Sequence, residues 1–186
     1  MNLGAPIFDV PGFDVPGFVA ACRASLAERD VIGALASCVA RAIAQRQPLL
    51  AMFGTGPGLR VTELAVDADL AVMHLASPVG FVFPPHDHRM VSVVGVLAGI
   101  EENIYYARRD TGLAELGRRS VRVGEVAAHA EDVVHSIANG SDEEPLVALH
   151  VYAGDFLNGE RSEWRGDPLR EQRYDLARLR SLIARR

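Results

Sequence analysis

A series of short apolar segments between residues 59 and 153 constrains the fold of this chain more than any other feature. The segments are rich in Val, Leu and Tyr and are separated by Gly, Pro and Asp, which is the pattern of strands joined by turns. The predicted strands cover 59–66, 69–76, 79–83, 90–98, 100–107, 117–123, 126–129, 133–138 and 145–153. Many short strands at this spacing predict an all-β sandwich or barrel.

Helical periodicity flanks the strands on both sides. Apolar positions from Phe18 to Leu26 follow helical spacing, and Asp30 suits the N-cap of a second helix that stops before Pro48. The phrase FDVPG occurs twice within 8–18, and its Pro-Gly pairs predict turns in an extended arm. The tail carries apolar residues at helical spacing, namely Leu176, Leu179, Leu182 and Ile183.

Length and composition indicate one structural domain. A chain of 186 residues with 49% hydrophobic content can form one core and is short for two domains. We expect an N-terminal arm and helices in 1–58, a β-barrel in 59–156 and a helical tail in 157–186. A homo-oligomer formed through the N-terminal helices or a sheet edge is an open alternative, because exposed β-edges favour pairing.

Charge and hydropathy exclude several partners. The net charge of −5 argues against a nucleic-acid or anionic-membrane surface, because phosphate binding needs clustered positive charge. The longest apolar run, near 90–100, is too short to span a bilayer, and the first ten residues lack the pattern of a signal peptide. We therefore expect a cytoplasmic protein in which Cys22 and Cys38 are free thiols.

The motif Pro84-Pro85-His86-Asp87-His88 is the strongest candidate for a functional site. Residues two apart on a strand point to the same face, so His86 and His88 can reach one metal ion while Asp87 points the other way. A His-x-His pair alone also fits surface polarity or hydrogen-bonded core imidazoles. The framing glycines and a third histidine downstream, His135, favour a metal site.

These spacings resemble the two motifs of the cupin superfamily, whose fold is the double-stranded β-helix. The first frame runs from Gly80 through His86 and His88 to Gly99, and the second from Gly124 through His135 to Asn139. The resemblance implies that His86, His88 and His135 are metal ligands. The carboxylate ligand usual in the first motif falls at Ser92, so the expected ligand set is three neutral imidazoles.

The three-histidine set, with HDH in the first motif, resembles the thiol dioxygenase branch of the cupins, the cysteine dioxygenase type. In that branch a Ser-x-His-x-Tyr stretch follows the last ligand; His150 and Tyr152 match it, and Ala148 stands for the Ser. The resemblance implies that His150 and Tyr152 form an outer-sphere proton relay. It also implies an arginine for the substrate carboxylate on an early strand, where Arg60 lies in a comparable place.

The resemblance implies an iron(II) enzyme that uses O2 to oxidise the sulfur of a small mercapto acid, such as cysteine or 3-mercaptopropionate, to a sulfinic acid. Zinc, nickel, manganese or copper are alternative metals. Two other functions stay open: a cupin with another metal acting on a small non-thiol acid, or a small-molecule-binding cupin without turnover. Of the remaining histidines, His74 is expected to pack in an apolar strand and His129 to lie at the rim.

Overall fold

The computed structural model describes residues 12–56, 58–178 and 181, which form three helices followed by eleven strands. The helices are α1 (Val15–Ser25), α2 (Val31–Ile43) and α3 (Arg46–Phe53). The strands are β1 (Arg60–Val66), β2 (Ala71–Ser77), β3 (Val82–Asp87), β4 (Val91–Ala98), β5 (Ile100–Arg109), β6 (Gly112–Arg122), β7 (Val126–His129), β8 (Val134–Asn139), β9 (Leu146–Ala153), β10 (Ser162–Arg165) and β11 (Arg170–Arg173).

The strands form two antiparallel sheets. One has the order β1-β2-β9-β4-β7 and the other β11-β10-β3-β8-β5-β6. Strands β2 to β9 supply four strands to each sheet in the order of a jelly roll, with β1 added to one edge and β10–β11 to another. The predicted all-β double-stranded β-helix, preceded by short helices, is therefore confirmed.

The helices begin where the sequence supplies capping residues. Asp14 Oδ1 accepts a hydrogen bond from Gly17 N at 2.9 Å at the start of α1, and Asp30 Oδ1 accepts one from Gly33 N at 2.9 Å at the start of α2. The apolar face of α2 packs on β4. Gly95 of β4 allows this approach, because a Cβ there would lie 2.5 Å from Val39 Cγ1. None of the described helices is long and apolar enough to cross a bilayer.

Side-chain alternation divides the first sheet into two faces. Leu149 and Val151 of β9 belong to the main apolar core beneath the helices. His150 and Tyr152 of the same strand point into the barrel. In β2, the interior residue Met73 alternates with helix-side neighbours in the same way. This sheet therefore packs against the helices on one face and forms a wall of the barrel cavity with the other.

The flanking segments differ in detail from the expectations. A third helix, α3, forms over Pro48, because proline is tolerated in the first turn of a helix. The segment 157–186 contributes β10 and β11 to a sheet before a helical segment begins at Leu176, so it is not helical throughout. Most of that predicted helix lies outside the described residues, as does the arm up to residue 11. Cys22 and Cys38 are free thiols with Sγ atoms 3.7 Å apart.

Candidate metal centre

Three histidines from two neighbouring strands meet inside the barrel. His86 of β3 is the register partner of His135 of β8, and His88 directly follows β3. One ring nitrogen from each side chain can be chosen so that all three lie within 4.8 Å of one another, and all three residues are buried. The structure therefore brings together the three side chains that the sequence predicted as ligands.

Asp87, between the first two histidines, points away from them and anchors the strand end. Its Oδ1 accepts a hydrogen bond from Ser162 N at 2.7 Å, and its Oδ2 accepts one from Arg89 Nε at 2.6 Å and another from Arg108. Arg89 has a φ of 55°, so the chain turns sharply directly after His88. These contacts fix the backbone that carries both imidazoles.

Backbone and amide partners fix the ring nitrogens of two of the histidines. His86 Nδ1 lies 2.9 Å from Pro84 O, which only accepts, so the imidazole donates from Nδ1 and keeps its Nε2 lone pair free. His135 Nδ1 donates in the same way to Asn103 Oδ1 at 2.7 Å. Outer partners of this kind commonly orient histidine ligands. Both Nε2 lone pairs are thereby available to a metal.

Burial keeps the three imidazoles neutral. Desolvation lowers the pKa of His86 to about 4, with further contributions from nearby charges. Desolvation, followed by the neighbouring imidazoles, holds the pKa values of His88 and His135 well below their usual value. Metal ligation requires the neutral imidazole, which has a free lone pair on one nitrogen, so the three histidines can bind a metal at neutral pH.

The spacing of the nitrogens fits a metal ion. His88 Nε2 lies 3.0 Å from His135 Nε2. Two nitrogen ligands at right angles, each about 2.1 Å from a metal, are separated by about 3 Å. Ser92, where the first cupin motif usually has a carboxylate, lies 3.4 Å from His129 Nδ1 by its Oγ. The donor set in the described residues is thus three neutral nitrogens, which fits a divalent transition metal with open positions.

His150 and Tyr152 lie beside the three histidines. The Tyr152 hydroxyl is 3.2 Å from His150 Nδ1, and the Tyr152 ring centroid is 5.0 Å from that of His88. Desolvation lowers the pKa of His150 to about 3 and raises the pKa of Tyr152 above its usual value. The pair is therefore a neutral imidazole and a protonated phenol at neutral pH.

The cavity in front of the histidines is mostly apolar. Its wall includes His86, His88, His150, Tyr152 and Tyr174, and the rest is formed by Leu59, Val61, Met73, Leu75, Phe81, Phe83, Ile137 and Phe156. No Asp or Glu is among these lining residues. Such a site excludes water and strengthens the few electrostatic contacts within it.

Arg60 is not brought to this cavity. Its neighbours Leu59 and Val61 line the cavity, so strand alternation turns Arg60 to the opposite face. There its Nη2 donates to Gly54 O at 3.3 Å, and its charge helps to lower the pKa of His74. The expected carboxylate-binding residue therefore has no contact with the cavity in this structure.

Arg161 is a cation near the site that the sequence did not reveal. Its side chain is 4% exposed, and its guanidinium lies 4.2 Å from the ring centroids of both Phe156 and Tyr174, which line the cavity. Its Nη2 donates to Phe156 O at 2.7 Å, while its Nε has no hydrogen-bond partner. Within the described part of the chain no carboxylate lies within 4.0 Å of it.

Two further histidines are buried near the site. His129 is not at the rim, because its Nε2 lies 3.1 Å from the Tyr105 hydroxyl and its ring centroid is 4.7 Å from that of His135. The rim prediction failed because β7 pairs with β4, which places His129 opposite Ser92. His74 packs its ring on Phe53 at 4.3 Å between centroids, on the helix side of the sheet.

Two buried polar residues of β5 complete the surroundings. Asn103 Nδ2 donates to Glu101 Oε1 at 3.0 Å, and the same amide accepts from His135 through its oxygen. Both residues are 0% exposed. Desolvation raises the pKa of Glu101 to about 7. The period-two pattern of β5 indicates buried positions, but nothing local distinguishes these polar residues from surface ones.

No protein-family model matches the sequence. Among solved structures, the DMSP lyase DddQ of Ruegeria pomeroyi matches 58% of this chain and 55% of its own length, with 20% identity and a TM-score of 0.43. Oxalate decarboxylase of Bacillus subtilis matches 58% of this chain and 28% of its own length, with 18% identity and a TM-score of 0.45. An oxalate oxidase in complex with the substrate analogue glycolate matches 62% of each chain, with 20% identity and a TM-score of 0.46.

Similarity at this level does not extend to metal, substrate or activity, and the matched region covers less than two thirds of each of these three proteins. The strand order of the chain itself carries the structural conclusion. This protein has a double-stranded β-helix fold, with three histidines at a candidate metal site inside the barrel.

Proposed function

We propose that this protein is an iron(II)-dependent thiol dioxygenase that oxidises a small mercapto acid. The net reaction is R-SH + O2 giving R-SO2H, so both oxygen atoms are transferred to sulfur and the thiol proton stays with the product. His86, His88 and His135 are the proposed ligands. The observation that carries the proposal is a cluster of three neutral, buried imidazoles, two of which line an apolar cavity, without a carboxylate in the ligand set.

The charge of the ligand set supports an anionic substrate. Three neutral imidazoles leave a divalent ion with its full charge, whereas a carboxylate ligand would cancel part of it. When bound, iron(II) would supply Lewis acidity, orientation and the electrons for dioxygen chemistry. A thiolate suits such a centre because it is anionic and polarisable.

The His150/Tyr152 pair is proposed to accept the thiol proton. An incoming thiol must lose its proton to bind as a thiolate, and Tyr152 lines the cavity beside His88. Tyr152 passes its own proton to His150 Nδ1, 3.2 Å away, as its oxygen takes the proton from sulfur. The apolar wall keeps water from competing for either group.

Arg161, and not Arg60, is the proposed partner of the substrate carboxylate. A guanidinium stays charged when buried, and Arg161 has no carboxylate partner of its own among the described residues. None of the described residues that line the cavity is acidic, so none would receive an ammonium group. A mercapto acid without an amine, such as 3-mercaptopropionate, therefore fits the cavity better than cysteine.

Oxygen uptake by protein loaded anaerobically with iron(II) tests this function. The substrates are 3-mercaptopropionate, cysteine, cysteamine and a small thiol without charge, and His86→Ala is the control. We expect uptake with 3-mercaptopropionate to exceed uptake with the others, and to disappear in the control. Full iron occupancy without uptake on any thiol would overturn the proposal and favour a non-thiol acid or a binding protein.

A further inference from the structure

Glu101 lies inside the polar network behind the three histidines, and the function proposed above gives it no role. Its Oε1 accepts the hydrogen bond from Asn103 at 3.0 Å, but its Oε2 is buried and has no hydrogen-bond partner. A buried carboxylate oxygen without a donor is costly, so its position calls for a specific reason.

The missing donor lies on His150. Its Nε2 is also buried without a hydrogen-bond partner, and it is 3.7 Å from Glu101 Oε2. Hydrogen bonds at catalytic sites are often long before substrate binds, and a shift of a few tenths of an ångström closes this one. Because His150 is neutral, the contact is not an ion pair, and a hydrogen atom on Nε2 of His150 would complete it as a hydrogen bond.

We propose that Glu101 is a positioning residue that sets the tautomer of His150. Glu101 accepts a hydrogen bond from the Nε2–H group of His150, which leaves Nδ1 of His150 as the acceptor for the Tyr152 hydroxyl. When Tyr152 transfers its proton to Nδ1, the carboxylate stabilises the imidazolium that forms. A carboxylate, an imidazole and a hydroxyl in this order are a general arrangement for removing a proton.

The same carboxylate also orients one proposed metal ligand. Since Asn103 donates to Glu101 through Nδ2, its oxygen faces His135 and fixes the proton of that ring on Nδ1. Glu101 thus connects two branches, one through Asn103 to His135 and one through His150 to Tyr152. The consequence for turnover rests on the proposed function, whereas the tautomer of His150 does not.

The variant Glu101→Gln separates the two branches. Asn103 still presents its amide N–H, so the oxygen of the new side chain faces Asn103 and its NH2 group faces His150. That NH2 group donates a hydrogen bond to Nε2 of His150, so the ring proton moves to Nδ1. A protonated Nδ1 can no longer accept a hydrogen bond or a proton from the Tyr152 hydroxyl. The orientation of Asn103, and with it His135, is unchanged. The replacement has almost the same volume as Glu.

The matched control is Glu102→Gln, the same change one residue along β5. Glu102 is partly buried, accepts a hydrogen bond from the Ser120 hydroxyl and is directed away from the histidines. Its substitution removes the same formal charge from the same strand. We expect it to leave the tautomer of His150 and the turnover unchanged.

Nitrogen-15 NMR of the metal-free protein reads the tautomer directly, with His150→Gln used to assign the signals. We expect a protonated Nε2 in the wild type and in Glu102→Gln, and a protonated Nδ1 in Glu101→Gln. A wild-type His150 protonated on Nδ1, or a tautomer unchanged in Glu101→Gln, overturns the proposal. The wild-type tautomer is measured without Glu101→Gln, so it tests the proposal even if that variant does not fold.

Kinetics of the iron-loaded protein provide a second readout. We expect Glu101→Gln to lower kcat by about tenfold or more, with KM and iron content close to wild type, because proton transfer contributes at least that much to catalysis. An unchanged kcat with a changed tautomer would remove Glu101 from the reaction. If no thiol is oxidised at all, the proposed function fails while the NMR result still decides the tautomer.

Discussion

Nε2 of His88 and Nε2 of His135 lie 3.0 Å apart in a site where desolvation keeps both rings neutral. The His135 ring already donates from Nδ1 to Asn103, so its lone pair on Nε2 faces His88. Without a metal, one of these two nitrogens must carry a hydrogen atom and donate it to the other. A divalent ion between them would instead bind the lone pairs of both. This relationship makes metal binding the first property to test.

We expect His135→Ala to lose stoichiometric metal and all turnover. The two remaining imidazoles provide too few ligands, and the lone pairs left behind have no common partner. Metal content by mass spectrometry and the thermal midpoint with and without added iron(II) or zinc(II) measure this. A ligand that binds only the folded state raises its stability, so added metal should raise the midpoint of the wild type and not of the variant. Equal shifts in both proteins would contradict the ligand assignment.

Tyr152→Phe should keep the metal and slow turnover. The Tyr152 ring centroid lies 4.5 Å from that of Phe156, and among the described residues the hydroxyl makes a hydrogen bond only with His150, so the substitution removes the proton-bearing group and little packing. We expect kcat to fall by roughly 10²-fold, a typical loss for a general acid or base. Steady-state oxygen uptake at matched iron content measures the fall. A rate equal to that of the wild type would exclude Tyr152 from the reaction.

Arg161→Met should weaken the use of thiols that carry a carboxylate and spare those that lack one. A hydrogen bond to a charged group contributes about 1.5–3 kcal/mol, which corresponds to about 10- to 100-fold in kcat/KM. The measurement compares 3-mercaptopropionate with a neutral thiol of similar size in both proteins.

Arg60→Met is the matched control, because this substitution removes the same charge from the face of β1 that points away from the cavity. We expect little change in the ratio between the two substrates. A larger effect of Arg60→Met than of Arg161→Met would restore the assignment made from the sequence.

Local patterns predicted most of the barrel and its histidines. Turn residues bound each strand, and β3 and β8 are neighbours in a jelly roll, so His86, His88 and His135 follow from motif spacing. Arg60 is not among the cavity-lining residues, and the sequence does not indicate this because both faces of β1 are partly covered, which hides the alternation that turns Leu59 inward.

Two residues near the site that the sequence did not reveal depend on tertiary packing. Arg161 lies behind two cavity-lining rings because β10 pairs with β3 and brings the chain after the barrel next to His86. Glu101 is buried because its face of β5 points toward His150 of the other sheet, inside the barrel. Neither arrangement leaves a signal in the residues around these two positions.

Gly95→Ala should destabilise the protein without affecting the metal site directly. The added methyl group would lie 2.5 Å from Val39 Cγ1 and 2.8 Å from Ile43 Cγ2, so α2 must move away from β4. Overpacking of this kind costs about 1–3 kcal/mol. Urea unfolding measures the change in the free energy of unfolding, and Val82→Ala, at a side chain 68% exposed, is a control with little expected effect. An unchanged stability would mean that α2 adapts freely.

His74 should make the metal-free protein sensitive to acid. Its ring is 1% exposed, neither nitrogen has a hydrogen-bond partner, and desolvation with the charge of Arg60 lowers its pKa to about 4. The unfolded chain binds a proton at this side chain below about pH 6.5, while the folded chain does not until about pH 4. The contribution of His74 to the free energy of unfolding is therefore fully present above about pH 6.5 and is lost as the pH falls toward 4.

The substitution His74→Leu should remove that loss. It keeps an apolar contact with Phe53 and deletes two buried polar atoms, so we expect a small effect at pH 7. Between pH 7 and pH 4.5 the wild type should lose about 2 kcal/mol more unfolding free energy than the variant. Urea unfolding of both metal-free proteins at the two pH values measures the difference. The other buried histidines are present in both proteins, so their contributions cancel, and parallel losses would show that His74 is protonated equally in the folded and unfolded states.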